Sequence, residues 1–183
     1  MNTHHLKLLR TAGAVIFAGL VSGQALGQSF ADASAEIGAT IYTPLAISKT
    51  ANLNFGAIKP GSAAGTVLVS AAGVRSATGT NGPTLLNSIN VPYAATVSKA
   101  SFAVTGSAGS QYSIYLSQDP VDLYGPTSSK MTVTNFVTLK TDNIGTIAVN
   151  GTDTLDVGAT LNVGANQAAG EYFAMFHVMV NYQ

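Results

Sequence analysis

Side chains able to do chemistry are sparse in this chain of 183 residues, which holds eight basic and eight acidic residues, three histidines and no cysteine. Without cysteine there is neither a thiol nucleophile nor a thiolate metal ligand. His4 and His5 fall in the N-terminal leader, which leaves His177 as the one histidine of the remainder. No carboxylate stands at a spacing that would orient it, so it reads as a surface or interface residue. Serine is so abundant that a Ser–His–Asp arrangement carries no specificity. Asp153 and Asp156, or Asp119 and Asp122, could each offer oxygens to calcium, yet neither pair has the dense ligand spacing of a calcium loop. Turn chemistry accounts for them more simply. Gly61 and Gly65 follow no strand-to-helix pattern and do not read as a phosphate loop. The expectation is a chain with no catalytic, cofactor-binding or metal-binding residue, and not an enzyme.

The elements that must carry whatever function remains are strands. Charged residues make up 9% of the chain, and Gly, Ala, Thr, Ser, Val and Asn dominate it. That composition suits strands and turns over long helices. No basic cluster exists, so nucleic acid is not an expected partner.

Residues 1–27 read as a secretory signal peptide. Lys7 and Arg10 form the basic start, an apolar run follows to Gly23, and Ala25-Leu26-Gly27 offers small residues where a signal peptidase cuts. The run is shorter than the ~20 apolar residues of a membrane span. The protein is therefore expected to be exported. Removing Lys7 and Arg10 leaves six basic residues against eight acidic ones.

Residues 28–43 form an N-terminal extension in which Ala33, Ala35, Ile37, Ala39 and Ile41 alternate with more polar residues until Pro44. Side chains two apart in a strand share a face, so the spacing predicts a strand. As an ordinary first strand it would pair within its own domain. From Pro44 onward, short apolar alternations recur between turn signals. Leu45 with Ile47, Leu53 with Phe55, and Val67 with Val69 come first. Thr80 to Lys99 reads as a long loop with one short strand. Phe102 with Val104, then Tyr112, Ile114 and Leu116, mark two inward rows. Met131 and Val133 run on to Phe136, Val137 and Leu139 after a kink at Asn135. Ile147 and Val149 lead to Asn150-Gly151, a hairpin-favouring pair. Leu155 to Val163 is expected as two short strands parted by Gly158. The last stretch, Tyr172, Ala174, Phe176, Val178, Val180 and Tyr182, reads as one face of a single strand roughly 40 Å long. Eight or nine short strands in residues 44–183 predict an antiparallel β-sandwich.

Several of these stretches carry a resemblance. PLAISKTANLNFGAIKPG, from Pro44, and Arg75-Ser76-Ala77-Thr78-Gly79 resemble the opening of a bacterial secreted family known as domain of unknown function 4402. Val157 to Ala165, followed by Ala169-Gly170-Glu171-Tyr172, is similar to its close. The Leu-x-Phe-Gly motif at Leu53 also resembles the start of spore coat U-type domains. Gly170, the alternating apolar residues after it and Tyr182 resemble the C-terminal signature of chaperone–usher pilus subunits.

The resemblance implies an immunoglobulin-like, pilin-like sandwich, with the option that it lacks its own last strand. It implies a structural subunit of a cell-surface fimbria assembled by donor-strand exchange. Ala33, Ala35, Ile37, Ala39 and Ile41 would be the donor strand. Gly170, Tyr172, Ala174, Phe176, Val178, Val180 and Tyr182 would belong to the strand gripped first by a periplasmic chaperone and then bordering the acceptor groove. Its partners would be that chaperone, an outer-membrane usher and neighbouring subunits. The alternative is a self-contained secreted sandwich with a carbohydrate-binding or surface-layer role, in which Tyr93, Tyr115 and Tyr124 could form an aromatic patch.

Overall fold

The computed structural model describes residues 31–86, 96–116 and 119–183. The signal-peptide assignment therefore lies outside the described residues, as does Tyr93. The chain divides into two compact units, Met1–Ala39 and Thr40–Gln183. Of the first, residues 31–39 are described, and all are exposed and outside any strand. The strand expected over Ala33 to Ile41 is thus an exposed segment outside any ladder; Ile37 is 101% exposed. An isolated strand has no partner for its backbone groups and forms only when one arrives.

The second unit is all-β, with antiparallel pairing throughout. Its described strands are β1 (Ala46–Ala51), β2 (Ile58–Lys59), β3 (Gly65–Val69), β4 (Arg75–Thr78), β5 (Thr84–Leu85), β6 (Ala100–Thr105), β7 (Gln111–Leu116), β8 (Val121–Tyr124), β9 (Lys130–Thr138), β10 (Ile144–Thr146), β11 (Thr152–Val163) and β12 (Val178–Tyr182). A seven-stranded sheet runs β1-β6-β11-β3-β4, with β9 also on β11 and β8 on β9. A three-stranded sheet runs β10-β7-β12, and β2 pairs β5 separately. Among the described residues no helix is long and apolar enough to cross a membrane.

Strand β11 organises the whole. It was expected as two short strands, but Gly158 does not break it. A side chain there would meet the backbone of Val69, Ser70 and Ala71, so glycine lets the neighbouring chain pass close while the ladder continues. The register shift against β9 lies between Gly158 and Thr160. Leu155, Val157, Ala159, Leu161 and Val163 form one buried row. The first two enter a core with Ala100, Val104, Tyr112, Ile114 and Ile147. The last three enter a second core with Phe55, Val67, Val69 and Val133. Asn135 takes φ 54°, which is the kink expected in β9.

Arg75 donates from Nη1 to the carbonyls of Phe55 (2.8 Å) and Ala57 (3.2 Å), and from Nη2 to that of Leu86 (3.1 Å). It thereby fastens the segments around β2 and β5 to β4. Burial holds its pKa below the ordinary arginine value.

The final stretch departs most from expectation. Only Val178–Tyr182 is a strand; Phe173 makes an isolated bridge to Tyr124 of β8, on the larger sheet, whereas β12 pairs with β7 of the smaller one. A segment that changes sheets cannot be one straight strand, and residues 174–177 make the crossing.

Candidate functional edge

The carboxylates singled out for metal binding are occupied by neighbours. Asp153 receives Lys140 Nζ at 2.7 Å and the Tyr112 hydroxyl at 2.9 Å. Asp156 receives Lys99 Nζ at 2.7 Å and Ser101 Oγ at 2.6 Å. Asp122 pairs with Lys130 at 3.1 Å, and Asp119 accepts the Asn135 amide at 2.8 Å. Among the described residues no three His, Cys, Asp or Glu side chains come together as a metal site. His177 is exposed. A shallow depression of ≈ 390 Å³, lined by Ala64, Gly65, Thr66, Asn162, Val163 and Gly164, holds no titratable side chain. Tyr115 and Tyr124 are both exposed but belong to different sheets, so strand pairing does not place them side by side.

What the structure does assemble is an open side. β12 pairs with β7 alone and β1 with β6 alone, so each ends its sheet among the described residues. The two edges border one core. Leu45 and Ile47, Phe102 of β6, Leu116 of β7, Phe136 of β9, and Phe176, Val178 and Val180 all pack on it while staying only half-buried. Phe176 sits between two aromatic partners. Its ring stacks on Phe136 (centroids 5.1 Å, 28°) and meets Phe102 edge-on (6.1 Å, 89°). Between them, these three rings join the crossing segment to strands of the larger sheet.

The predicted acceptor residues separate into two groups. Phe176, Val178, Val180 and Tyr182 share this side and are half-buried, while Met179 on the alternate face is 61% exposed. Tyr172 serves a different place. Its ring covers Gly125, and its hydroxyl accepts from Gln167 Nε2 at 2.8 Å and lies 2.8 Å from the Ala168 carbonyl. Ala174 is exposed, and Gly170 sits at φ 148° against Pro126. The donor residues Ala33, Ala35, Ile37, Ala39 and Ile41 are all exposed.

A family model described as a domain of unknown function (DUF4402) matches residues 45–182. The chain belongs to the DUF4402 family. The match begins at the residue before β1 and ends at the last residue of β12, so the DUF4402 domain spans both open edges. No curated protein matches the chain, and no solved structure does.

Strand β1 is half of this open side. Its short alternation, Leu45 and Ile47, was visible. That it would lie at an edge was not, because edge position depends on which strands pair. Thr43 and Ser107 were missed for the same reason; the Thr43 amide reaches Ser107 Oγ, at 2.6 Å, only once the strands between them have paired.

Proposed function

We propose that this DUF4402 protein is a structural subunit of a cell-surface fimbria, exported and then assembled by donor-strand exchange through a periplasmic chaperone and an outer-membrane usher. The supporting observation is the joint presence of an acceptor and a donor. Two strand edges stand open over a core whose bordering side chains are only half-buried, while an exposed segment with alternating apolar residues precedes them. An unpaired edge over apolar surface invites another chain. An added strand gains main-chain hydrogen bonds, and its alternate side chains fill the gaps between those already there.

The two edges are not equally inviting. β1 carries Lys49, exposed, and a lysine on an edge strand discourages pairing. β12 reads Val-Met-Val-Asn-Tyr, without charge. The neighbour's Ala33, Ala35, Ile37, Ala39 and Ile41 therefore pair best along β12. A shift by one residue would turn Glu36 and Thr40 inward instead.

The test is assembly. Protein recovered after export should form a ladder of oligomers on native separation, and deletion of residues 28–41 should stop the ladder at monomeric or chaperone-capped species. A full-length chain that stays monomeric, with protected amides across residues 33–41, would assign the extension to its own domain and end the fimbrial reading.

A further inference from the structure

Where the extension joins the domain, three distant parts of the chain close a ring of hydrogen bonds. The Thr43 amide donates to Ser107 Oγ at 2.6 Å across 64 residues. The Tyr182 hydroxyl accepts the Ser107 amide at 2.7 Å across 75 residues and donates to the Thr43 carbonyl at 2.6 Å across 139. The donor and acceptor capacities of that one hydroxyl are thus both in use. The Tyr42 ring lies against the Tyr182 ring, with centroids 6.1 Å apart.

The seat is shaped for this contact. A side-chain carbon at Gly106 would collide with the Tyr182 hydroxyl, so only glycine lets the ring reach the turn between β6 and β7. That turn is itself held, since the Ser110 amide reaches the Ser107 carbonyl at 3.2 Å and the Gly109 amide reaches the Ile147 carbonyl at 2.8 Å. The ring of bonds has a firm base.

Its consequence concerns the direction in which the extension leaves. Both backbone groups of Thr43 are engaged by the ring, and Pro44 has no amide hydrogen to offer. To pair with its own β1, the extension would have to reverse at these two residues, and a tight reversal needs backbone groups that are here already used. Folding back is obstructed at its first step.

We propose that Tyr182 is a positioning residue: it clamps the root of the extension beside the end of β12 and so directs strand donation towards another subunit rather than back along the chain's own β1. This rests on the fimbrial reading and deepens it. The same strand would then present the acceptor edge and hold the root of the outgoing donor.

The test uses the full exported chain with Tyr182→Phe, which keeps the ring and removes only the hydroxyl, and Ser107→Ala as an independent break in the ring. Amide exchange at Thr43 should quicken about tenfold in each, the loss expected for one or two modest hydrogen bonds. On native separation each variant should shift from ladder to monomer, and residues 33–41 of that monomer should gain exchange protection as the extension folds back. Wild-type ladders with unchanged Thr43 exchange in both variants would overturn the clamp and leave the fimbrial reading standing. Faster exchange with an undiminished ladder would show the bonds to be structural only and would equally overturn the proposal. A wild-type chain that forms no ladder and already protects residues 33–41 would defeat both.

Discussion

Tyr112 shows how much one side chain organises. It is fully buried, pairs across to Tyr182 in the β7–β12 ladder, and donates its hydroxyl to Asp153, which also holds Lys140. A side-chain carbon at Gly145 would strike its ring, so a glycine on β10 leaves room for it. Burial, then the hydrogen bond and negative charge of Asp153, hold its pKa well above the usual tyrosine value of 10.0. The folded state therefore keeps a proton that the unfolded chain releases above that value. Its contribution to stability is whole below pH ~10 and falls as pH rises towards the folded pKa, by up to about 1.4 kcal/mol per pH unit. Urea midpoints should drop as pH rises from about 10 to about 12, and Tyr112→Phe should flatten that drop while costing roughly 1–3 kcal/mol at neutral pH for the lost bond to a charged acceptor. An equal alkaline drop in the variant would place the titrating group elsewhere. Gly158→Ala belongs to the same scale. Its methyl group would press on the backbone of Val69 to Ala71, and overpacking of this kind costs about 1–3 kcal/mol or more, readable as a lower melting temperature.

Among the elements, β12 carries most of the proposed role in the fewest residues. Its alternation sets Val178 and Val180 inward and Met179 outward. Val180→Asp should lower the melting temperature sharply by placing a carboxylate against the apolar core, whereas Met179→Asp should leave it nearly unchanged. Comparable losses in both would contradict the register. Phe176→Ala removes the ring between Phe102 and Phe136; full burial would make this about 3–5 kcal/mol, and half-burial reduces it to roughly half. The alternation of this stretch was plain in the sequence, as were the inward rows of β6, β7 and β11. The all-β class followed from them. The sheet change at residues 174–177 was not legible, because an alternating pattern continues through it and only pairing partners reveal the switch. Gly158 misled for the opposite reason. Glycine inside an alternation usually weakens a strand, and here it instead admits a close backbone neighbour.

At the scale of the molecule, the DUF4402 domain is a two-core β-fold in which β1 and β12 each pair on one side only among the described residues. The absence of cysteine means apolar packing and the ladders hold it without disulfides. On the proposed donor-strand mechanism, stability should depend on what occupies the edge, since a ligand that binds only the folded state stabilises it by mass action. The most direct measurement is therefore thermal melting of the domain lacking residues 28–41, titrated with a synthetic peptide spanning Ser34 to Thr43. The account predicts a melting temperature that climbs steadily with peptide concentration, and no rise with the same peptide carrying Ile37→Asp, which puts a charge where the proposal expects an apolar contact. A melting temperature indifferent to both peptides would contradict it.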